Sequence, residues 1–141
     1  MRPFTVAFLG MSLLGCGEEA PSVGGGPLDG TWQGVSASGL PVTMQIEHAA
    51  ASGIGGPSSV QGVLSVGDER CLRQTALAGV LTGDVLHVSA VGVGRGSRQT
   101  FIDVSGLVRA GGRIDATLSM TGDRQLEACE MDRTPLTLER R

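Results

Sequence analysis

Three thiols carry the clearest chemistry in this chain, and their positions give them different tasks. Cys16 ends the run Leu13-Leu14-Gly15-Cys16, at the close of an apolar stretch that begins just after Met1-Arg2. A positive start, about a dozen apolar residues and a small residue before the cysteine describe an export leader whose cysteine is lipidated and becomes the first mature residue. The stretch is shorter than the roughly 20 residues needed to cross a bilayer. The Cys16 sulfur and its new amino group are then expected to carry acyl chains. At about 0.8 kcal/mol per buried methylene, more than one chain anchors a domain stably.

Lipidation leaves Cys71 and Cys129 as an even pair in a compartment that permits disulfides, so one bridge between them is expected. Closing so long a segment stabilises a fold by about 4 kcal/mol in the chain-entropy model. A metal site is the poorer reading, because neither cysteine has a C-x-x-C partner or a neighbouring histidine.

The histidines, His48 and His87, lie on alternating stretches without a carboxylate at motif spacing, so structural or solvent-facing roles are expected. No serine sits in a G-x-S-x-G elbow, and there is no H-E-x-x-H, no Walker loop and no paired-carboxylate signature. Gly53-Ile54-Gly55-Gly56-Pro57 and Gly94-Arg95-Gly96 lack the following helix a phosphate loop needs. They read as loops. No catalytic residue, metal or cofactor is assigned.

These residues need a scaffold, and the composition describes a β-rich one. The chain of 141 residues has 23 glycines and is 40% hydrophobic but only 3% aromatic, which gives many turns and a core of medium-sized aliphatic side chains. Removing Arg2 with the leader takes the formal net charge from −3 to about −4. No basic footprint for nucleic acid exists. All cationic side chains are arginine, and lysine, asparagine and tyrosine are missing, a skew read most simply as codon bias. Residues 1–15 form the leader, 16–27 the anchor and a Gly/Pro-rich tether, and 28–141 a single domain.

From Leu28 onward apolar and polar residues alternate between glycine-bearing turns. Val42, Met44 and Ile46 share one face, and Thr43, Gln45 and Glu47 the other. With Thr31 to Val35, Val60 to Val66, Thr75 to Leu81, Val85 to Val93, Thr100 to Val108, Ile114 to Met120 and Leu136 to Leu138, the pattern predicts about eight strands. Gly83-Asp84 and Gly111-Gly112 suit two-residue hairpin turns, while Gly79 and Gly106, inside strands, mark bends or bulges. An all-β antiparallel up-and-down barrel is the expected architecture, because closure removes exposed edges; a β-sandwich is the alternative.

Gly30-Thr31-Trp32 resembles the Gly-x-Trp motif of lipocalins. The stretch from Leu28 to Arg141 resembles small lipocalin-like bacterial lipoproteins: Gly30, Trp32 and Gly34 at the start, repeated glycine hairpins, two cysteines, and a final Leu136, Leu138, Arg140 strand. The resemblance implies that Trp32 closes one barrel end and that Arg140 or Arg141 packs over it. The Thr-Asp-Tyr motif and a C-terminal helix pattern are lacking. As a lone large aromatic, Trp32 reads as a core plug before a ligand contact.

An eight-stranded lumen either fills with side chains or admits one small ligand. The expected inward set is Val42, Met44, Ile46, Val60, Leu64, Leu86, Val88, Ile102, Val104, Val108, Leu118 and Met120, of which Met44, Ile46, Leu86, Val88, Val104, Leu118 and Met120 would line an apolar ligand. Charged loops near Arg95 and Arg98, and Asp123, Arg124, Glu127, Glu130, Asp132 and Arg133 around Cys129, offer rim surfaces. The expected function is a monomeric, non-enzymatic envelope binding or structural module, held through Cys16 to the bacterial outer membrane and partnered by an envelope protein. A carrier of a small apolar ligand and an inhibitor of a hydrolase or protease are the alternatives.

Overall fold

Alternation at period two recurs at turn-length intervals, so each strand has an apolar face to bury and a neighbour within a few residues to pair with. The computed structural model describes residues 28–49, 56–93, 99–122 and 129–141. Residues 1–27, with Cys16, lie outside the described residues, as do Gly53 to Gly55, Gly94 to Arg98, Asp123, Arg124 and Glu127. The strands are β1 (Gly30–Ser36), β2 (Pro41–His48), β3 (Ser58–Val66), β4 (Leu72–Thr82), β5 (Val85–Val93), β6 (Gln99–Arg109), β7 (Arg113–Thr121) and β8 (Met131–Arg140). Each pairs antiparallel with the next, and β8 returns to β1 to close an eight-stranded barrel.

Followed once around, the pairings return to β1 displaced by about ten residues, which tilts the strands by about 40° and leaves a narrow lumen. The lumen holds the alternate residues of every strand. Val42, Met44, Ile46, Val60, Leu64, Leu86, Val88, Ile102, Val104, Leu118 and Met120 are all 0–2% exposed. Val108, expected among them, is only half-buried, because it sits where β6 runs out into its turn. Leu72, Leu77, Leu81, Ile114, Leu136 and Leu138 join the core.

Glycines set the curvature. Gly79 and Gly106 carry no bulge: the pairing runs in register through both, and the irregularities fall instead between Leu64 and Val66 and between Leu118 and Met120. Their task is steric. A Cβ on Gly79 would lie 2.0 Å from the His87 carbonyl oxygen, and one on Gly106 would lie 2.4 Å from that of Asp115. Neighbouring backbone occupies the place of a side chain there, as it does at Gly34 and Gly62, where the approach is 1.9 Å.

The turns also differ in detail from the expected pair. Gly83-Asp84 is a two-residue turn with φ of 62° at Gly83. The β6–β7 turn has three residues, Ala110 to Gly112, because Arg109 pairs with Arg113. Both its glycines have positive φ.

Candidate functional site

The barrel has two ends and an outer wall, and each gathers its own chemistry. At the first end Leu28, fully buried, lies beneath β1, and its carbonyl accepts a 2.8 Å hydrogen bond from Trp32 Nε1. The indole is 1% exposed, and the Arg140 guanidinium stacks over it at 4.9 Å from the ring centroid. Gly30, with φ of 124°, turns the chain from Leu28 into β1. Arg141 is exposed, and its backbone N–H donates to the Thr31 carbonyl. Leu28, Trp32 and Arg140 thus form a plug across this end.

His48 and Ser58 face inward beside the plug. His48 Nε2 and Ser58 Oγ are 2.6 Å apart, and the Ser58 hydroxyl donates to the Leu81 carbonyl at 3.3 Å. With that hydroxyl hydrogen so used, the imidazole N–H donates to Ser58, and Nδ1 has no partner among the described residues. The Asp29 carboxylate accepts from the His48 backbone N–H and not from the ring. With Nε2 carrying the proton, the imidazole cannot take one from Ser58; no described residue orients the ring through Nδ1, and both residues are only 6% exposed. Chemistry of the serine-triad kind needs that third group and access to substrate.

At the opposite end the Cys71 and Cys129 sulfurs are bonded, with α-carbons 5.3 Å apart. Cys71 immediately precedes β4 and Cys129 lies two residues before β8. These strands lie on opposite sides of an eight-strand ring, so the bridge spans the mouth as a strap. Leu40, Leu72 and Met131 are buried below it, with Thr100, whose hydroxyl has no partner among the described residues. Glu130, Asp132 and Arg133 are exposed at this rim.

On the outer wall His87 does have a carboxylate partner, contrary to the expectation from spacing: Nε2 lies 2.6 Å from Asp103 Oδ1. Asp103 Oδ2 also accepts from Ser105 Oγ at 3.3 Å. The serine is therefore bonded to the carboxylate and not to the histidine, the reverse of a triad. Antiparallel pairing of β5 with β6 brings these residues together, which sequence spacing alone conceals. Further along the same two strands, Val91, Val93 and Phe101 form an exposed apolar strip, with Phe101 51% exposed. Outward clefts of about 270 and 820 Å³ flank Phe101.

Around the plugged end, Arg109 and Arg113 reach the Asp115 carboxylate at 3.3 and 2.7 Å. The hydrogen bond from Arg113, with its charge and that of Arg109, holds the Asp115 carboxyl below the usual carboxylate range.

Of the residues expected to line a ligand, Met44, Ile46, Leu86, Val88, Val104, Leu118 and Met120 all face the lumen and pack against one another. Clefts open at the rims and on the outer wall, among them a 540 Å³ one beside Asp29, Ile46, Glu47 and His48. Nothing in the sequence pattern singles out Asp29 or Ser58, and Leu28 is marked only as the apolar residue just ahead of Gly30-Thr31-Trp32. No family model, curated protein or solved structure matches this chain.

Proposed function

We propose that this chain is a lipid-anchored bacterial envelope protein, a lipocalin-like lipoprotein whose barrel acts through its outside and not as a carrier. The leader and Cys16 supply the address and the anchor, and Gly30, Trp32 and Arg140 supply the lipocalin likeness. The observation that carries the non-carrier reading is a lumen filled by its own side chains. It is shut at one end by the Leu28–Trp32–Arg140 plug and crossed at the other by the Cys71–Cys129 strap. A small apolar ligand would have to displace close-packed aliphatic groups, at the cost such cores impose on added volume. The polar clusters give no assembled catalytic set, which favours a binding or structural role.

The face suited to an envelope protein partner is the β5–β6 strip of Val91, Val93 and Phe101, where an aromatic and two aliphatic residues stand in water beside polar His87, Ser89 and Asp103. The reading is tested by fractionation and intact mass. The mature chain should begin at Cys16, carry acyl chains and partition with outer membranes, and Cys16→Ser should release it into the soluble fraction. A chain retaining Met1 in the cytosol would refute it.

A further inference from the structure

The plugged end is also the end at which the chain enters the barrel: Leu28 lies under Trp32, so residues 17–27 connect Cys16 to this rim and no other. Fully extended, that stretch spans at most about 40 Å. Charge around the rim is unevenly divided. On the β6–β7–β8 side stand Arg109, Arg113, Arg140 and Arg141, with Asp115 between the first two and Glu139 across from Arg113. Among the described residues, four guanidinium groups there stand with two side-chain carboxylates, and the Arg140 guanidinium is also engaged over Trp32. On the β1–β2 side stand Asp29 and Glu47, with no arginine among the described residues, and Asp84 stands at the border, its carbonyl accepting from the Val108 N–H. Arg109 and Arg113 are 50% and 55% exposed, so their pairing with Asp115 leaves donors open to solvent.

We infer that this arginine side is a docking surface for the headgroup phosphates of the membrane that holds Cys16, so that the barrel leans on its β6–β8 side. The inference rests on the lipid-anchor reading above. A domain carrying net negative charge would otherwise be pushed off an anionic surface, and the tether would let it tumble. A rim with its cations on one side sets an orientation, because guanidinium groups bind phosphate through paired N–H donors and attraction to anionic lipid falls away within a Debye length. The acidic half of the same rim is then turned from the bilayer.

The test uses the mature lipidated protein in vesicles of phosphatidylglycerol and phosphatidylethanolamine, and of phosphatidylcholine alone. With Cys16 in a thioether and Cys71 bonded to Cys129, a single introduced cysteine is the only one free to take a fluorophore. Labelling of the parent protein at Cys16, or its loss from the vesicles, would signal failure of the anchor reading separately. The fluorophore is placed at Ala110→Cys, on the turn between Arg109 and Arg113, or at Thr82→Cys, at the same barrel end on β4, which carries no arginine at this rim. Quenching by headgroup-labelled lipid in the anionic vesicles is expected to be about twofold or more stronger at 110 than at 82. The difference should vanish in R109Q/R113Q and in 0.5 M salt, where screening shortens to about 4 Å. In phosphatidylcholine vesicles it should be small. Equal quenching at the two positions, or a difference that survives R109Q/R113Q, would overturn the inference.

Discussion

Removing the Cys71–Cys129 bridge, by Cys71→Ala with Cys129→Ala, should cost a large share of this domain's stability margin. The bridge joins positions 58 apart in sequence, and in the chain-entropy model such a loop restricts the unfolded chain by about 4 kcal/mol at 25 °C. Against the 5–15 kcal/mol typical of single domains, the loss takes about a quarter or more of the total. For a domain of this size it corresponds to a fall in Tm of about 15 °C. Its placement adds a second expectation. As the strap crosses the mouth between the β4 and β8 starts, amides near Leu72 and Met131 should lose hydrogen-exchange protection more than those near Val88 and Val104, at mid-barrel. The assay is guanidinium unfolding followed by the fluorescence of Trp32, the sole tryptophan, in oxidised and double-alanine proteins, with exchange on both. A loss below about 1 kcal/mol, or protection falling evenly over the barrel, would refute the reasoning.

Other substitutions probe the remaining features. Gly79→Ala drives a Cβ to 2.0 Å from the His87 carbonyl oxygen, so the β4–β5 pair must part, at a cost of about 3 kcal/mol in thermal melts. Trp32→Phe leaves the Leu28 carbonyl without its donor and thins the plug, and should destabilise by about 2 kcal/mol or more by circular dichroism. Phe101→Ser, on the exposed strip, should shift stability by no more than about 0.5 kcal/mol. Asp115, whose folded pKa is lowered, stabilises the β6–β7 turn at pH values above its unfolded pKa, and that contribution is lost as pH falls through the folded one. An NMR titration of its carboxyl should therefore have a midpoint below the usual carboxylate range, and Arg113→Gln should move it up.

The barrel was legible because its signal is local. Alternation through Val42, Met44 and Ile46, and a turn residue such as Gly83, are set by neighbours in sequence. Where a feature depended on partners far along the chain, sequence was a poorer guide. β8 reads as Leu136 to Leu138 alone, because Asp132, Arg133 and Pro135 break the apolar pattern, yet the strand runs from Met131. Arg133, with φ of 46°, and the irregular pairing between Leu118 and Met120 absorb that break. His48 with Ser58 and His87 with Asp103 meet only because two pairs of antiparallel strands set them side by side. Gly79 and Gly106 stand out in the sequence as glycines inside strands, but the reason, a neighbouring backbone occupying the place of a Cβ, belongs to the closed barrel.

The claim that the lumen is full is tested most directly by titrating the protein with a fluorescent polyene fatty acid and following energy transfer from Trp32, which stands at the plugged end of that lumen. With Met44, Ile46, Leu86, Val88, Val104, Leu118 and Met120 packed against one another, no saturable transfer should develop at stoichiometric ratios. Transfer that saturates at one fatty acid per barrel, and that competing unlabelled fatty acid reverses, would contradict it.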